Sequence, residues 1–196
     1  WVANELNLDG FRLDAIKHIN NNFIEEFLKE VRRVRGEDFY AVGEYWKGDL
    51  GSIVEYLDNV NYQADLFDVP LHFNFFTASK NGSAYDLREV FNNSLVINKK
   101  LFSVTFVDNH DSQWGSSLES QIDSWFKPLA YALILLIADG YPCIFYGDYY
   151  GVGGKESPHR WVIEKLLYAR KNYAYGEQIN YFDDPNRIGM VRKGNE

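Results

Sequence analysis

Four short apolar runs, at 8–13, 39–42, 102–107 and 143–146, each close on or just before a polar group: Asp14, Glu44, His110-Asp111 and Asp148. Between them lie longer stretches with helical spacing, at 22–34, 84–91, 124–138 and 161–172. In the first of these, Phe23, Phe27, Leu28, Val31 and Val34 recur three and four residues apart, which predicts one apolar stripe on a helix. Short strands alternating with helices predict βαβ units and a parallel sheet, either open and doubly wound or part of a barrel. Neither GxGxxG nor a Walker pattern follows any strand, which removes support for a nucleotide-binding sheet. In a (β/α)8 barrel the C-terminal strand ends build the functional face, so polar groups at those ends are informative. After Tyr175-Gly176 the pattern changes to short strand-like pieces at 179–182 and 188–191. The predicted organisation is therefore an α/β unit over 1–174, open or part of a barrel, and the start of a separate β-rich domain over 175–196.

Composition narrows the partners. A net charge of −8 argues against a nucleic-acid partner, because polyanion binding leaves a basic footprint. The one basic cluster, Arg32-Arg33 with Arg35, reads as a solvated helix face. The longest apolar run, near 130–138, suits one buried helix and is too short to cross a bilayer. A single cysteine, Cys143, excludes an internal disulfide and Cys-based zinc, and its apolar neighbours suggest a buried structural thiol. Nothing in the sequence fixes a compartment. The 17% aromatic content suits the C–H faces of sugar rings and equally suits a packed core.

Three segments carry chemistry. In Gly10-Phe11-Arg12-Leu13-Asp14, residues two apart share a strand face, so Arg12 and Asp14 point the same way. An adjacent Arg keeps a carboxylate ionised, as a nucleophile requires; a structural ion pair is the alternative. In Val42-Gly43-Glu44-Tyr45-Trp46, a Glu beside two aromatics is set to act as a general acid, or is a surface Glu beside core aromatics. In Phe106-Val107-Asp108-Asn109-His110-Asp111-Ser112-Gln113, consecutive polar groups follow an apolar strand. Such a set suits hydrogen bonding to a polyhydroxylated ligand better than it suits zinc.

These three segments resemble the strand-end motifs of the α-amylase family, glycoside hydrolase family 13. The stretches Phe67-Asp68-Val69-Pro70-Leu71-His72, Trp125-Phe126-Lys127-Pro128-Leu129-Ala130-Tyr131-Ala132 and Tyr146-Gly147-Asp148-Tyr149-Tyr150-Gly151 resemble its liquefying bacterial branch, in the family's order. The resemblance implies a partial (β/α)8 TIM barrel holding about strands 4 to 8, acting on α-1,4-glucans such as starch, glycogen or maltodextrins. It also implies roles: Asp14 as nucleophile oriented by Arg12, Glu44 as acid/base, Asp111 as the third carboxylate and His110 as a sugar ligand. Lys17 and His18 would lie on the leaving-group side, Tyr45 and Trp46 along neighbouring subsites, and the His18 carbonyl on a structural Ca2+ whose other ligands lie mostly outside this chain. Retaining double displacement would follow, with the Asp14 and Glu44 carboxyls about 5–5.5 Å apart. A transglycosylase using the same carboxylates and a non-catalytic binding relative are the alternatives.

Some features depart from the family. The chain would enter it at the helix before the fourth strand, so the first three strands and an inserted domain would precede Trp1. The remainder of the same polypeptide would be needed to close the barrel, and the isolated chain is expected to be inactive. Ser112 stands where relatives often carry Thr, and Gly43 where they often carry Ala. The loop into the last helix, at 155–160, is shorter, with His159 expected to face solvent.

Overall fold

The computed structural model describes residues 1–194. After a short helix α1 (Val2–Glu5), the chain alternates strictly: β1 (Gly10–Leu13), α2 (Asn21–Arg35), β2 (Tyr40–Gly43), α3 (Leu50–Asn59), β3 (Asp65–Phe67) and α4 (Val69–Asn81). It continues through α5 (Leu95–Asn98), β4 (Ser103–Phe106), α6 (Lys127–Leu136), β5 (Tyr141–Cys143), α7 (Tyr146–Tyr150) and α8 (Arg160–Asn172). Strands β1 to β5 pair in sequential order, all parallel, with Gly10 opposite Tyr40, Val42 opposite Asp65, Leu66 opposite Ser103 and Val104 opposite Tyr141. Sequential parallel order is the order of a barrel wall, and it places every strand's carboxyl end along one rim.

Local chemistry sets the helix ends. The Asn20 side chain accepts from the amides of Asn22 and Phe23 to start α2, and Gly36 stops it at φ 110°. The buried stripe of α2 is Ile24 and Leu28, flanked by Phe27 and Val31, while Phe23 and Val34 are exposed. The expected stripe is thus rotated. Among the described residues β1 is an edge strand, and nothing covers the side of α2 that carries Phe23 and Val34. Of the basic cluster, only Arg33 is a solvated side chain. Arg32 donates to the carbonyls of Phe39 and Gln63, and Arg35 donates to the Leu8 carbonyl, so both tie α2 to its neighbours.

Two apolar clusters fill the space between sheet and helices. One gathers Ile24, Leu28, Ile53, Leu57 and Leu66; the other gathers Phe75, Phe126, Ala130, Ile134 and Ile163. Three elements differ from the sequence expectation. β3 is only three residues long and opens on Asp65, too short to register as an apolar run. The stretch 84–91 forms separate 3-10 turns instead of a helix, because the Asp86 carboxylate takes the Arg88 amide and competes with helical bonding. The last strand is Tyr141–Cys143, earlier than 143–146, and Tyr146 already begins α7. Pro142 is tolerated there because β5 is an edge strand among the described residues.

Beyond α8, β6 (Gln178–Asp184) and β7 (Arg187–Arg192) form an antiparallel hairpin with a bulge between Asn180 and Phe182. The Gln178 side chain accepts from the Ala138 amide at 2.9 Å, Arg192 donates to the Leu136 carbonyl at 3.1 Å, and Ile188 and Met190 pack on the second cluster. Residues 195 and 196 of the predicted 175–196 domain lie outside the described residues.

Candidate active site

The residues following β1 and β2 meet at the carboxyl rim, and the turn after β4 lies along the same rim. Arg12 lies on β1 and forms an ion pair with Asp14, one residue past the strand. Its other terminal nitrogen reaches Glu44 Oε2 at 3.4 Å, so one guanidinium serves both carboxylates. The same Glu44 oxygen accepts the Ala15 amide at 3.0 Å. Backbone bonds lock the two strand ends together: the Glu44 amide donates to Leu13, and the Ile16 amide donates to Glu44. Ala15 adopts φ 47°, a left-handed turn that carries the chain from the strand into the 3-10 turn Ile16–His18. Glu44 is 4% exposed, whereas the Asp14 side chain is 69% exposed.

The polar partners of the Glu44 side chain are the Arg12 guanidinium and the Ala15 amide. Tyr45 packs on Tyr56 at 4.7 Å between ring centres, and Trp46 packs on His72, Phe73 and Phe106. Both aromatics are half-buried, so only part of each faces outward. Gly43 has a steric reason. A Cβ there would come within 2.3 Å of Ile16 Cδ1, and Ile16 is fully buried. Lys17 donates to the Trp46 carbonyl at 3.2 Å, which draws the turn after β1 onto the loop after β2. His18 is exposed beside it.

After β4, His110 Nε2 sits 3.2 Å from Asp111 Oδ2. The turn beneath them is self-braced. The Asn109 side chain accepts from the amides of Asp111 and Ser112, and Ser112 Oγ accepts from the Asn109 amide at 3.0 Å. A cleft of about 170 Å3 opens at this rim. Arg12, the partner of Asp14 and Glu44, forms part of its wall; His110, the partner of Asp111, forms another part, and Phe106 and Tyr146 line it too. Cys143 is half-buried in the same wall, and burial pushes its thiol pKa up.

Two polar residues are not where the sequence suggests. Asp148 does not end a strand facing the rim: it is buried on α7, where Lys127 and the Tyr131 hydroxyl bind its carboxylate. His159 is 8% exposed instead of solvent-facing, because the end of the loop turns inward at Ser157 and His159 while residues 152–156 stay exposed. Its Nε2 lies 3.0 Å from Ser124 Oγ, its amide donates to Ser157 Oγ, and burial lowers its pKa. Sequence reasoning also passed over His72, fully buried and bonded through Nδ1 to the Val107 carbonyl at 2.6 Å and through Nε2 to Ser120 at 2.8 Å. Burial holds its pKa down at about 4, so it braces the β4 loop as a neutral ring.

Calcium needs six to eight oxygens, several of them carboxylates. Among the described residues no group of three acidic, His or Cys side chains is arranged to hold a metal. The His18 carbonyl is a single oxygen, so these residues do not by themselves make the expected calcium site.

A run of parallel strands with acidic groups along the carboxyl rim defines the class: a partial barrel with acidic strand ends. Residues 1–191 match the family model described as "Alpha amylase, catalytic domain", and the chain belongs to that family. It is 50% identical over 196 residues to the glucan 1,4-alpha-maltohexaosidase of Bacillus sp. (strain 707), covering all of this chain and 38% of that protein. It is likewise 50% identical over 198 residues to the alpha-amylase of Bacillus licheniformis, covering 99% of this chain and 39% of that protein. The chain thus spans less than half the length of these relatives. A solved Anoxybacillus alpha-amylase superposes with a TM-score of 0.75 at 24% identity, covering all of this chain and 47% of that one, which establishes the partial TIM-barrel fold.

Proposed function

We propose that this chain supplies the catalytic carboxylates of a retaining endo-hydrolase of α-1,4-glucosidic bonds in starch, glycogen or maltodextrins. The observation that carries the proposal is the Arg12 guanidinium shared by Asp14 and Glu44 on adjacent parallel strands. Asp14, exposed and paired with a cation, is the nucleophile that attacks the anomeric carbon. Glu44, buried beside it, protonates the departing oxygen and then takes a proton from the water that releases the sugar. Asp111 and His110 hold hydroxyls of the same glucosyl ring. Lys17 and His18 bind on the leaving-group side, and Tyr45 and Trp46 offer the outward part of their rings to neighbouring units. The His18 carbonyl contributes one ligand to a calcium ion held mainly by residues outside this chain.

Residues 1–174 act as the C-terminal half of the barrel, and 175–196 open a β-rich domain. The full-length protein, given maltoheptaose and followed by proton NMR, is expected to release the α-anomer first; initial release of the β-anomer would refute retention. The isolated 196-residue chain is expected to show no activity in a reducing-sugar assay. Tyr40 on β2 and Tyr141 on β5 are 46% and 49% exposed, and both sheet edges stand open among the described residues. Measurable turnover by that chain alone would contradict the need for the rest of the barrel.

A further inference from the structure

Behind the rim, a buried cluster joins the β4 loop to the segment after β5. Lys127 Nζ lies 2.8 Å from Asp108 Oδ2 and also pairs with Asp148. The three side chains are at most 6% exposed. Tyr131 donates to the other Asp148 oxygen at 2.7 Å. Asp108 Oδ1 accepts from Ser112 Oγ at 2.8 Å, and Ser112 in turn receives the Asn109 amide. The Asn109 side chain then holds the amides of Asp111 and Ser112 at 2.9 and 2.8 Å. An unbroken chain of polar contacts therefore runs from Asp148 on α7 to the backbone of Asp111.

Lys127 is an unexpected choice at its position. It opens α6, where the helix dipole disfavours a cation, and it is buried, where desolvation disfavours any charge. Burial alone would lower its pKa, but the flanking Asp148 and Asp108 outweigh that and raise it. Without the ammonium, two carboxylates would face each other in the interior. We infer that Lys127 is a positioning residue: by drawing Asp108 and Asp148 onto one ammonium, it fixes the turn that carries Asp111 and presents His110 to the cleft. Its consequence for turnover rests on the hydrolase role proposed above; the bracing of the turn does not.

Two variants of the full-length protein test this, read by amide hydrogen exchange and by kinetics on maltoheptaose. Lys127→Met removes the ammonium and keeps the stem. Ser112→Ala leaves the ion cluster whole and cuts the link from Asp108 into the turn. Each folded variant is expected to speed exchange at the backbone amides of positions 111 and 112 by about tenfold, with exchange in β1 and β2 unchanged. In each, kcat should fall by about 10- to 100-fold with KM within about threefold, because misplacement of a group near the reacting ring acts on the transition state. Unchanged exchange at those amides in either folded variant overturns the inference, as does faster exchange with kcat equal to the parent's. Should Lys127→Met not fold, the double variant Lys127→Met/Asp148→Asn, which leaves one buried carboxylate fewer without a partner, is measured in its place, because Ser112→Ala also removes the local acceptor of the Asn109 amide. If the parent protein itself fails to hydrolyse maltoheptaose, the hydrolase proposal falls, and the exchange measurement still decides whether Lys127 braces the turn.

Discussion

Glu44→Gln in the full-length protein is expected to lower maltoheptaose turnover by about 10³–10⁴-fold while leaving glucan binding within a few-fold. Glutamine preserves shape, and its carbonyl can still accept the Ala15 amide that now meets Glu44 Oε2 at 3.0 Å. What it cannot do is donate a proton to the leaving oxygen or take one from water. Arg12 keeps its ion pair with Asp14 in the variant, so the nucleophile stays oriented. The loss should therefore depend on the leaving group. A maltosyl fluoride, whose departing fluoride needs little protonation, should react with Asp14 far more nearly at the parental rate than maltoheptaose does. Azide should then accelerate turnover by attacking the glycosyl-enzyme without general-base help. A variant that hydrolyses maltoheptaose as fast as the parent would remove Glu44 from the acid/base role. A variant equally impaired on both substrates, and deaf to azide, would indicate damage to the site's geometry instead.

The rim was legible in the sequence because its signal is local. Arg12 and Asp14 sit two apart at a strand end, and the pleat alone brings them together. The tetrad 108–111 announced a polar strand end by placing four polar groups after an apolar strand. The supports of that rim were not legible, since their partners are distant in sequence. Asp108 meets Lys127 and Asp148, residues on two other elements, and no spacing rule connects them. Reading Asp148 as a strand-end group failed because β5 stops at Cys143 and α7 turns the side chain inward. His159 failed similarly: a short loop with Gly, Lys and Glu reads as solvated, yet Ser157 and Ser124 supply the partners that let the imidazole be buried. A lysine standing between Phe126 and Pro128 at the head of an apolar helix was the one available clue to a buried ion cluster.

Asp68→Ala should cost about 3–5 kcal/mol of stability, seen as a drop of roughly 10 °C in the barrel's thermal midpoint. Asp68 is fully buried at the end of β3, and four donors converge on it. Oδ1 accepts from the amides of Leu71 and Leu95 at 3.1 and 3.0 Å; Oδ2 accepts from the Val96 amide at 2.7 Å and from Ser103 Oγ at 3.1 Å. One carboxylate thereby caps α4 and α5 and clasps the start of β4. Helix α5 depends on it especially, because its own N-cap residue, Ser94, donates its hydroxyl to the Phe91 carbonyl and leaves the helix amides to Asp68. Burial pushes the Asp68 pKa up while the three amides and the hydroxyl pull it down, and the net shift is upward. Alanine would leave three buried N–H groups without acceptors, each costing about 1–3 kcal/mol before relaxation. Asparagine should rescue only part of the loss. Its amide nitrogen must replace one oxygen and would point a donor at donors, either at Leu71 and Leu95 or at Val96 and Ser103. The order parent, Asn, Ala in thermal midpoint is therefore expected. An alanine variant that melts with the parent would mean that water or a shifted backbone satisfies these amides, and that the junction of β3, α4, α5 and β4 does not depend on this carboxylate.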